Sequence, residues 1–196
     1  MKRERSDAGA IDMRPLTAPR WPDLVSLFGP RGACGGCWCM TPRLSRSVYE
    51  QQKGEGNRRA LRRLLSRGRI PGLLAYLDGR PVGWCSVEPR EAFGMLARSR
   101  ILRPVDDQSV WSIVCLFVHK DHRGKGLCRA LVEGAVRHAA RRGARIVEAY
   151  PVEPKRAYMP AVFAFTGFAS VFRNSGFVEV ARRSSTRPIM RRGLGG

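Results

Sequence analysis

The sequence predicts a single α/β domain in which helices flank a mixed, mainly antiparallel β-sheet. Its 196 residues are enough for one domain with a sizeable core. The dipeptide Asp78-Gly79 joins two apolar runs, which is a strong short-range signal of an antiparallel hairpin. Between residues 109 and 150, a strand, a glycine-containing turn, a helix and another strand follow in succession. A hairpin and a β-loop-α-β unit in one chain indicate a mixed sheet.

The N-terminal part carries three predicted elements before the hairpin. A flexible polar tail covers residues 1–10, and the domain covers residues 11–196. Apolar periodicity predicts a strand at 11–17, a helix at 19–28, and a long basic helix at 45–67 with Ser45 or Ser47 as its cap. Gly54 and Gly56 are positions where that long helix could divide. The intervening segment RGACGGCWCM, with its glycines and three cysteines, predicts a packed loop.

The C-terminal part follows the hairpin at residues 72–89. The connection at 91–104 lacks a clear period and predicts a mobile connection or a short helix. The segment SVWSIVCLFVH at 109–119 is rich in β-branched and aromatic residues and predicts a buried central strand. The remaining patterns predict a helix at 126–142, a strand at 144–150, an apolar helix at 160–175 and two closing strands, FVEVARR and RPIMRR.

The bulk composition limits the classes of function. Hydrophobic residues make up 43% and charged residues 27%, which is ordinary for a globular protein and too apolar for disorder. The sequence has neither a membrane-length apolar run nor a signal-peptide core, so we expect a cytoplasmic protein without membrane contact. A formal charge of +20 predicts weak RNA contact at low salt, although the basic residues are dispersed along the chain.

One segment predicts an anion site. VCLFVHKDHRGKGLCRALV places a strand, a basic turn and a helix N-terminus in succession, so backbone N–H groups and the helix dipole face one point. Gly124 and Gly126 allow a ligand to approach the backbone, and Arg123, Lys125 and Arg129 add positive charge. The spacing matches neither a Walker A loop nor GxGxxG. We therefore predict a metal-free pyrophosphate site.

This loop resembles the signature of the GNAT superfamily of acyl-CoA-dependent N-acyltransferases. That signature is Arg or Gln, two residues, Gly, one residue, and then Gly or Ala; Arg123, Gly126 and Cys128 stand at those places. The element order and the pair Gly176-Phe177 also look like GNAT over nearly the whole chain. CWCM, VEAYP and RPIMRR are similar to segments of one bacterial subgroup.

The resemblance implies a central strand splayed from its neighbour, and acetyl-CoA or a related acyl-CoA as co-substrate. The implied CoA-binding residues are Leu116, Phe117, Val118, Arg123, Gly124, Lys125, Gly126, Leu127, Cys128 and Arg129. In the GNAT mechanism an amine attacks the thioester directly. The enzyme then needs a base, donors for the oxyanion and an acid for the departing thiolate.

Candidates for the base are Glu148 and Glu88, with His119 third, although a salt-bridged carboxylate explains each glutamate equally well. Cys115 on the central strand is interpreted as a buried structural thiol, with a nucleophile in a ping-pong route as the alternative.

The usual GNAT acid is a tyrosine four residues before the terminal Gly-Phe pair, but Phe172 occupies that position and has no proton to donate. Tyr150, Tyr158 or water could take its place.

Three closely spaced cysteines, Cys34, Cys37 and Cys39, do not have a standard zinc spacing, so no metal is expected. We expect their loop to cover the acceptor cleft with Trp38 and Met40. The predicted activity is acetyl transfer to a primary amine of a small molecule. The alternatives are an amine carried by aminoacyl-tRNA or another nucleic acid, and a non-catalytic CoA-binding protein; a homodimer is one option for assembly.

Overall fold

The computed structural model describes residues 10–154 and 164–195. The strands are β1 Asp12–Pro15, β2 Gly72–Leu77, β3 Arg80–Pro89, β4 Trp111–Val118, β5 Ile146–Ala149, β6 Val178–Arg182 and β7 Pro188–Gly193. The α-helices are α1 Trp21–Phe28, α2 Arg46–Gln51, α3 Glu55–Ser66, α4 Gly94–Arg98, α5 Leu127–Arg141 and α6 Ala169–Arg173. Within these two ranges, no helix is both long and apolar enough to span a bilayer.

All seven strands form one sheet in the order β1-β2-β3-β4-β5-β7-β6. The β4–β5 pair is parallel, and the other five pairs are antiparallel. The mixed, mainly antiparallel fold class is therefore confirmed, with β4 at the centre. The hairpin is also confirmed, since Asp78 and Gly79 form its turn with φ of 49° and 75°.

Two predicted helices differ from the structure. The helix at 45–67 is two helices, because Gly54 has a φ of 80° and caps α3 after α2 has ended at Gln51. Ser45 caps α2 as predicted, accepting a hydrogen bond from the Val48 N–H. The helix at 160–175 is wrong over residues 164–168, where Gly167 turns the chain with a φ of 81°, and only Ala169–Arg173 is helical. Residues 160–163, Tyr158 and tail residues 1–9 lie outside the described part.

The central strand separates from β5 after a short ladder. Parallel pairing covers Trp111 with Val147, Ser112 with Glu148 and Ile113 with Ala149, and β4 then continues to Val118 without β5. On its other side β4 carries a bulge, since Cys115 lies opposite Ser86 and Ile113 lies opposite Val87. The splay implied by the GNAT resemblance is thus present, and it leaves one edge of β4 open at Cys115–Val118.

Helix α5 covers one face of the sheet, and α1, α3 and the loop at 31–40 cover the other. On the α5 side, the core includes Leu127, Leu131 and Ala135 packed against β2, β3 and β4. On the opposite side, Trp84 is fully buried among residues of α1, α3 and the loop. Both layers therefore hold β4 in place from above and below.

We predict that Gly72→Ala strongly destabilises the fold. A Cβ at Gly72 would lie 2.1 Å from the carbonyl oxygen of Cys85 and 2.7 Å from the Trp84 ring. Such overpacking in a closed core should lower the free energy of unfolding by about 2–3 kcal/mol. Urea denaturation measures it. The control is Gly193→Ala, whose Cβ would meet nothing within 4 Å; it should change stability by less than about 0.5 kcal/mol. Equal effects of the two substitutions would contradict the packing.

Candidate functional site

The predicted anion loop connects β4 to α5 and presents a row of free backbone donors. The first helical hydrogen bond runs from the Ala130 N–H to the Gly126 carbonyl, so the N–H groups at the start of α5 have no helical acceptor. Just before the helix, the N–H groups of Gly124, Lys125 and Gly126 donate to no backbone carbonyl within residues 10–154 and 164–195. These donors face the same end of α5, where an anionic oxygen can accept from several of them.

The two glycines of the loop are required by its backbone. Gly124 and Gly126 have φ values of 74° and 77°, which side chains rarely adopt, and a Cβ at either would meet nothing within 4 Å. The loop is therefore open on its outer side. Cys128 is half-buried in the first turn of α5, and burial raises the pKa of its thiol. A neutral, compact thiol at this position does not repel a phosphate.

The charges around the loop also favour an anion. The Arg123 Nε donates to the Val118 carbonyl at 3.2 Å, and the Lys125 Nζ donates to the Asp121 carbonyl at 3.2 Å, so both cations are held on the loop. The first turn of α5 contains Arg129 and no acidic residue. Cations at a helix N-terminus oppose the helix dipole, and a bound pyrophosphate would reverse that unfavourable interaction.

The open edge of β4 lies beside this loop. The Leu116 N–H, which the GNAT resemblance assigns to the thioester, donates to the carbonyl of Phe165 at 2.6 Å. Gly167 packs close by, since a Cβ there would lie 2.8 Å from both Leu116 and Phe172. The segment around Phe165 therefore fills the gap between β4 and β5 and bonds the donor that a thioester carbonyl would use.

A cavity of about 200 Å³ borders β4 on the face away from α5. We call it the thiol cavity, and its lining residues are Ala33, Cys34, Cys37, Cys39, Thr41, Pro42, Tyr49, Cys115, Leu116, Phe117 and Phe165. The loop at 31–40 thus borders this cavity through its cysteines. Trp38 and Met40 are buried and do not line it, and their predicted role in covering an acceptor cleft stays a prediction.

The cysteine loop is fixed by α3. Gly36 has a φ of 74°, and a Cβ there would lie 2.6 Å from the backbone nitrogen of Gly54. The Gly36 carbonyl accepts hydrogen bonds from the Gly54 N–H at 3.0 Å and from the Asn57 Nδ2 at 3.1 Å. The N-terminal end of α3 therefore sets where the three thiols lie.

Two cysteines that are distant in sequence meet in the cavity wall. The Sγ atoms of Cys39 and Cys115 are 3.1 Å apart, and the Trp84 Nε1 donates to the Cys39 sulfur at 2.8 Å. Burial raises the pKa of the Cys39 thiol, so it is protonated at neutral pH. Across residues 10–154 and 164–195, no three His, Cys, Asp or Glu side chains are grouped as metal ligands would be.

Glu148 lies at the centre of a buried charge network on β5. Its Oε1 accepts from the Arg90 Nη1 at 2.9 Å, and its Oε2 accepts from the Arg191 Nε at 2.7 Å. Arg191 also binds Asp106, and these hydrogen bonds lower the pKa of Asp106 to about 2. The Tyr150 hydroxyl donates to Glu148 Oε1 at 2.6 Å. Glu148 is fully buried and does not line the thiol cavity.

Tyr150 is equally enclosed. Its side chain is 1% exposed, and its hydroxyl also contacts the Ser112 hydroxyl at 2.9 Å. Burial, reinforced by the Glu148 charge, raises the pKa of Tyr150. Its phenol is therefore a member of the Glu148 network and points away from the cavity lining.

The other two base candidates also lie outside the cavity lining. Glu88 is buried, with Arg43 and Arg69 nitrogens each 2.6 Å from its carboxylate oxygens. His119 ends β4 with its Nδ1 3.5 Å from Asp121. Of the predicted catalytic side chains within residues 10–154 and 164–195, only Cys115 borders the cavity. The catalytic roles of Glu148, Glu88, Tyr150 and Cys115 stay predictions.

The partners that neutralise these carboxylates were missed by the sequence reasoning. Arg90, Arg191 and Arg43 lie 58, 43 and 45 positions from their glutamates, so no local pattern could connect them.

Phe172 stands at the position where the GNAT resemblance expects a tyrosine. It is buried in α6, and its ring packs edge-on against Phe177 at 5.2 Å.

Comparison with known proteins agrees with this geometry. The model of the acetyltransferase (GNAT) family matches residues 39–168, and no curated protein sequence matches the chain. The fold is similar to that of the PaiA N-acetyltransferase from Thermoplasma acidophilum in complex with coenzyme A, at 14% identity and a TM-score of 0.54, over 94% of this chain and 99% of that one. An acetyltransferase from Thermus thermophilus has 21% identity and a TM-score of 0.51, over 95% and 99%. A GNAT-family acetyltransferase from Streptococcus agalactiae has 11% identity and a TM-score of 0.57, over 95% and 96%.

We predict that Glu148→Gln acts mainly on stability. It leaves Arg90 and Arg191 buried beside a neutral group, which should lower the free energy of unfolding by about 3 kcal/mol. Urea denaturation measures the change. The matched control is Glu133→Gln, because the Glu133–Arg192 pair, at 2.9 Å, is partly exposed; the control should lose less than about 1 kcal/mol. Full stability of Glu148→Gln with a large fall in turnover would instead favour the catalytic base.

Proposed function

The chain belongs to the GNAT family of acetyltransferases, and on that premise we propose that it transfers acetyl from acetyl-CoA to a primary amine of a small molecule. The observation that carries the proposal is the β4–loop–α5 junction, where N–H groups without a backbone acceptor, two glycines with positive φ and three cations lie within residues 123–129. A pyrophosphate suits such a site because its charge and acceptor oxygens match both features. We take residues 11–196 as the catalytic domain.

The site residues divide into three groups by role. Arg123, Gly124, Lys125, Gly126, Leu127, Cys128 and Arg129 hold the pyrophosphate, and the backbone of Leu116, Phe117 and Val118 binds the pantetheine arm and the thioester. The Leu116 N–H then exchanges the Phe165 carbonyl for the thioester oxygen, which places a donor where negative charge develops. The thiol cavity, on the same strand, receives the acceptor.

The reaction on this site is direct attack. The amine nitrogen adds to the thioester carbon, and the carbon–sulfur bond then breaks. Phe172 cannot protonate the leaving group, and the Tyr150 hydroxyl is enclosed by Glu148 and Ser112. We propose that water protonates the CoA thiolate, whose basicity is modest.

An amine attached to RNA is a second candidate acceptor, and one surface favours it. Arg59, Arg62, Arg63 and Arg67 are exposed on and just after α3, and in the described part of the chain none of them has an ion pair. Four cations along one helix attract phosphate groups in a salt-dependent manner. Activity on a tRNA-linked amine should therefore fall steeply with salt, whereas activity on small amines should not.

The direct test is release of CoA thiol from acetyl-CoA with a panel of amines, at low and at moderate salt. We expect turnover with at least one small amine at both salt concentrations. The Gly126→Asp substitution should raise the Kd for CoA by roughly 10- to 100-fold, because a carboxylate then faces the pyrophosphate. Calorimetry with CoA measures that change.

Gly126→Asn is the matched control, since it adds a side chain of the same shape at the same φ of 77° without the charge. It should bind CoA more tightly than Gly126→Asp by at least about tenfold. Equal affinities would contradict the pyrophosphate assignment. Tight CoA binding with no turnover on any amine would support a non-catalytic CoA-binding protein instead.

A further inference from the structure

The thiol cavity limits what kind of amine can reach β4. Its walls combine four cysteine thiols with the side chains of Tyr49, Phe117 and Phe165. No carboxylate or imidazole lines it in residues 10–154 and 164–195. Burial raises the pKa of Cys39 and Tyr49, and the hydrogen bond with Cys39, together with burial, raises that of Cys37. These groups are therefore neutral at pH 7. An ammonium entering this space would lose its hydration without gaining a counter-charge, which is strongly unfavourable.

The nearby carboxylates do not compensate. Glu148 is neutralised by Arg90 and Arg191, and Glu88 by Arg43 and Arg69. Both carboxylates are thus held by guanidinium groups, and neither lines the cavity. The amine must therefore arrive with its lone pair free.

The size of the cavity sets the size of the acceptor. A closed apolar cavity of about 150 Å³ is large enough to bind benzene in another protein. The thiol cavity, at about 200 Å³, is therefore suited to one aromatic ring with one small substituent. Phe117 and Phe165 border the cavity and can pack against such a ring.

Building on the proposed acetyl transfer, we propose that the acceptor is a weakly basic, single-ring arylamine bound in the thiol cavity. The neutral amine nitrogen attacks the acetyl carbon, and the carbon–sulfur bond breaks with its electron pair on sulfur. The nitrogen then loses one proton, which passes through water to the CoA thiolate. The products are an N-acetylarylamine and CoA thiol, and no protein base is needed.

Two isomers of composition C7H9N test the proposal. 4-Methylaniline is neutral at pH 7, whereas benzylamine has the same atoms but an alkylamine nitrogen that is almost wholly protonated. We expect kcat/KM for 4-methylaniline to exceed that for benzylamine by at least about tenfold at pH 7. Between pH 7 and 8.5, the benzylamine value should rise about tenfold per unit and the 4-methylaniline value should stay nearly constant. Equal rates at pH 7, or parallel pH profiles, would overturn the proposal.

Variants locate the binding site. Thr41 lines the cavity and is half-buried, so Thr41→Phe should fill it and raise KM for 4-methylaniline by about tenfold or more. The Kd for CoA should not change. Ser47→Phe adds the same ring on the exposed side of α2, outside the lining, and should alter neither value. An unchanged KM in Thr41→Phe would place the acceptor elsewhere.

The panel also separates this inference from the proposed function. If spermidine or a lysine-like amine is acetylated and 4-methylaniline is not, the arylamine proposal fails and acetyl transfer stands. If CoA does not bind, or no amine releases thiol, both fail.

Discussion

The short parallel ladder between β4 and β5 is the constraint on which the candidate site depends. Only three residue pairs join the strands, so the backbone of Cys115–Val118 is released from β5 and meets the segment around Phe165 instead. The bulge between Ile113 and Cys115 on the other side of β4 bends the strand away at the same level. The anion loop follows the C-terminal end of β4, and the thiol cavity lies along one face of the same strand.

Buried charge keeps this arrangement rigid. Glu148 stands on β5 in the middle pair of the ladder, opposite Ser112 of β4 and Arg191 of β7. Its contacts with Arg90 and Arg191 connect β5 to β7 and to the connection after β3, and the Tyr150 hydroxyl also donates to it. A buried carboxylate whose oxygens all accept hydrogen bonds holds the side chains around it in fixed positions. Such rigidity suits a site whose hydrogen-bond donors are backbone N–H groups.

The sequence was informative wherever neighbouring residues decide the structure. Asp78-Gly79, the apolar run of β4 and the glycines before α5 each act over a few positions, and the structure contains all three features. The sequence was uninformative about contacts between residues that lie far apart in the chain. The meeting of Cys39 with Cys115 spans 76 positions and depends on Trp38 and Cys39 both adopting positive φ, which no propensity favours. The break at Gly167 was missed because the surrounding residues are apolar enough to imitate a buried helix.

We propose that the free N–H groups between β4 and α5 bind the pyrophosphate of CoA. Titration of the 15N-labelled protein with CoA, followed by two-dimensional NMR, observes those groups directly. We expect the largest amide shifts at Gly124, Lys125, Gly126 and Leu127, with a smaller change at Leu116 as its bond to Phe165 is exchanged. Saturable binding that leaves these amides unshifted, with the largest changes on another surface, would contradict it.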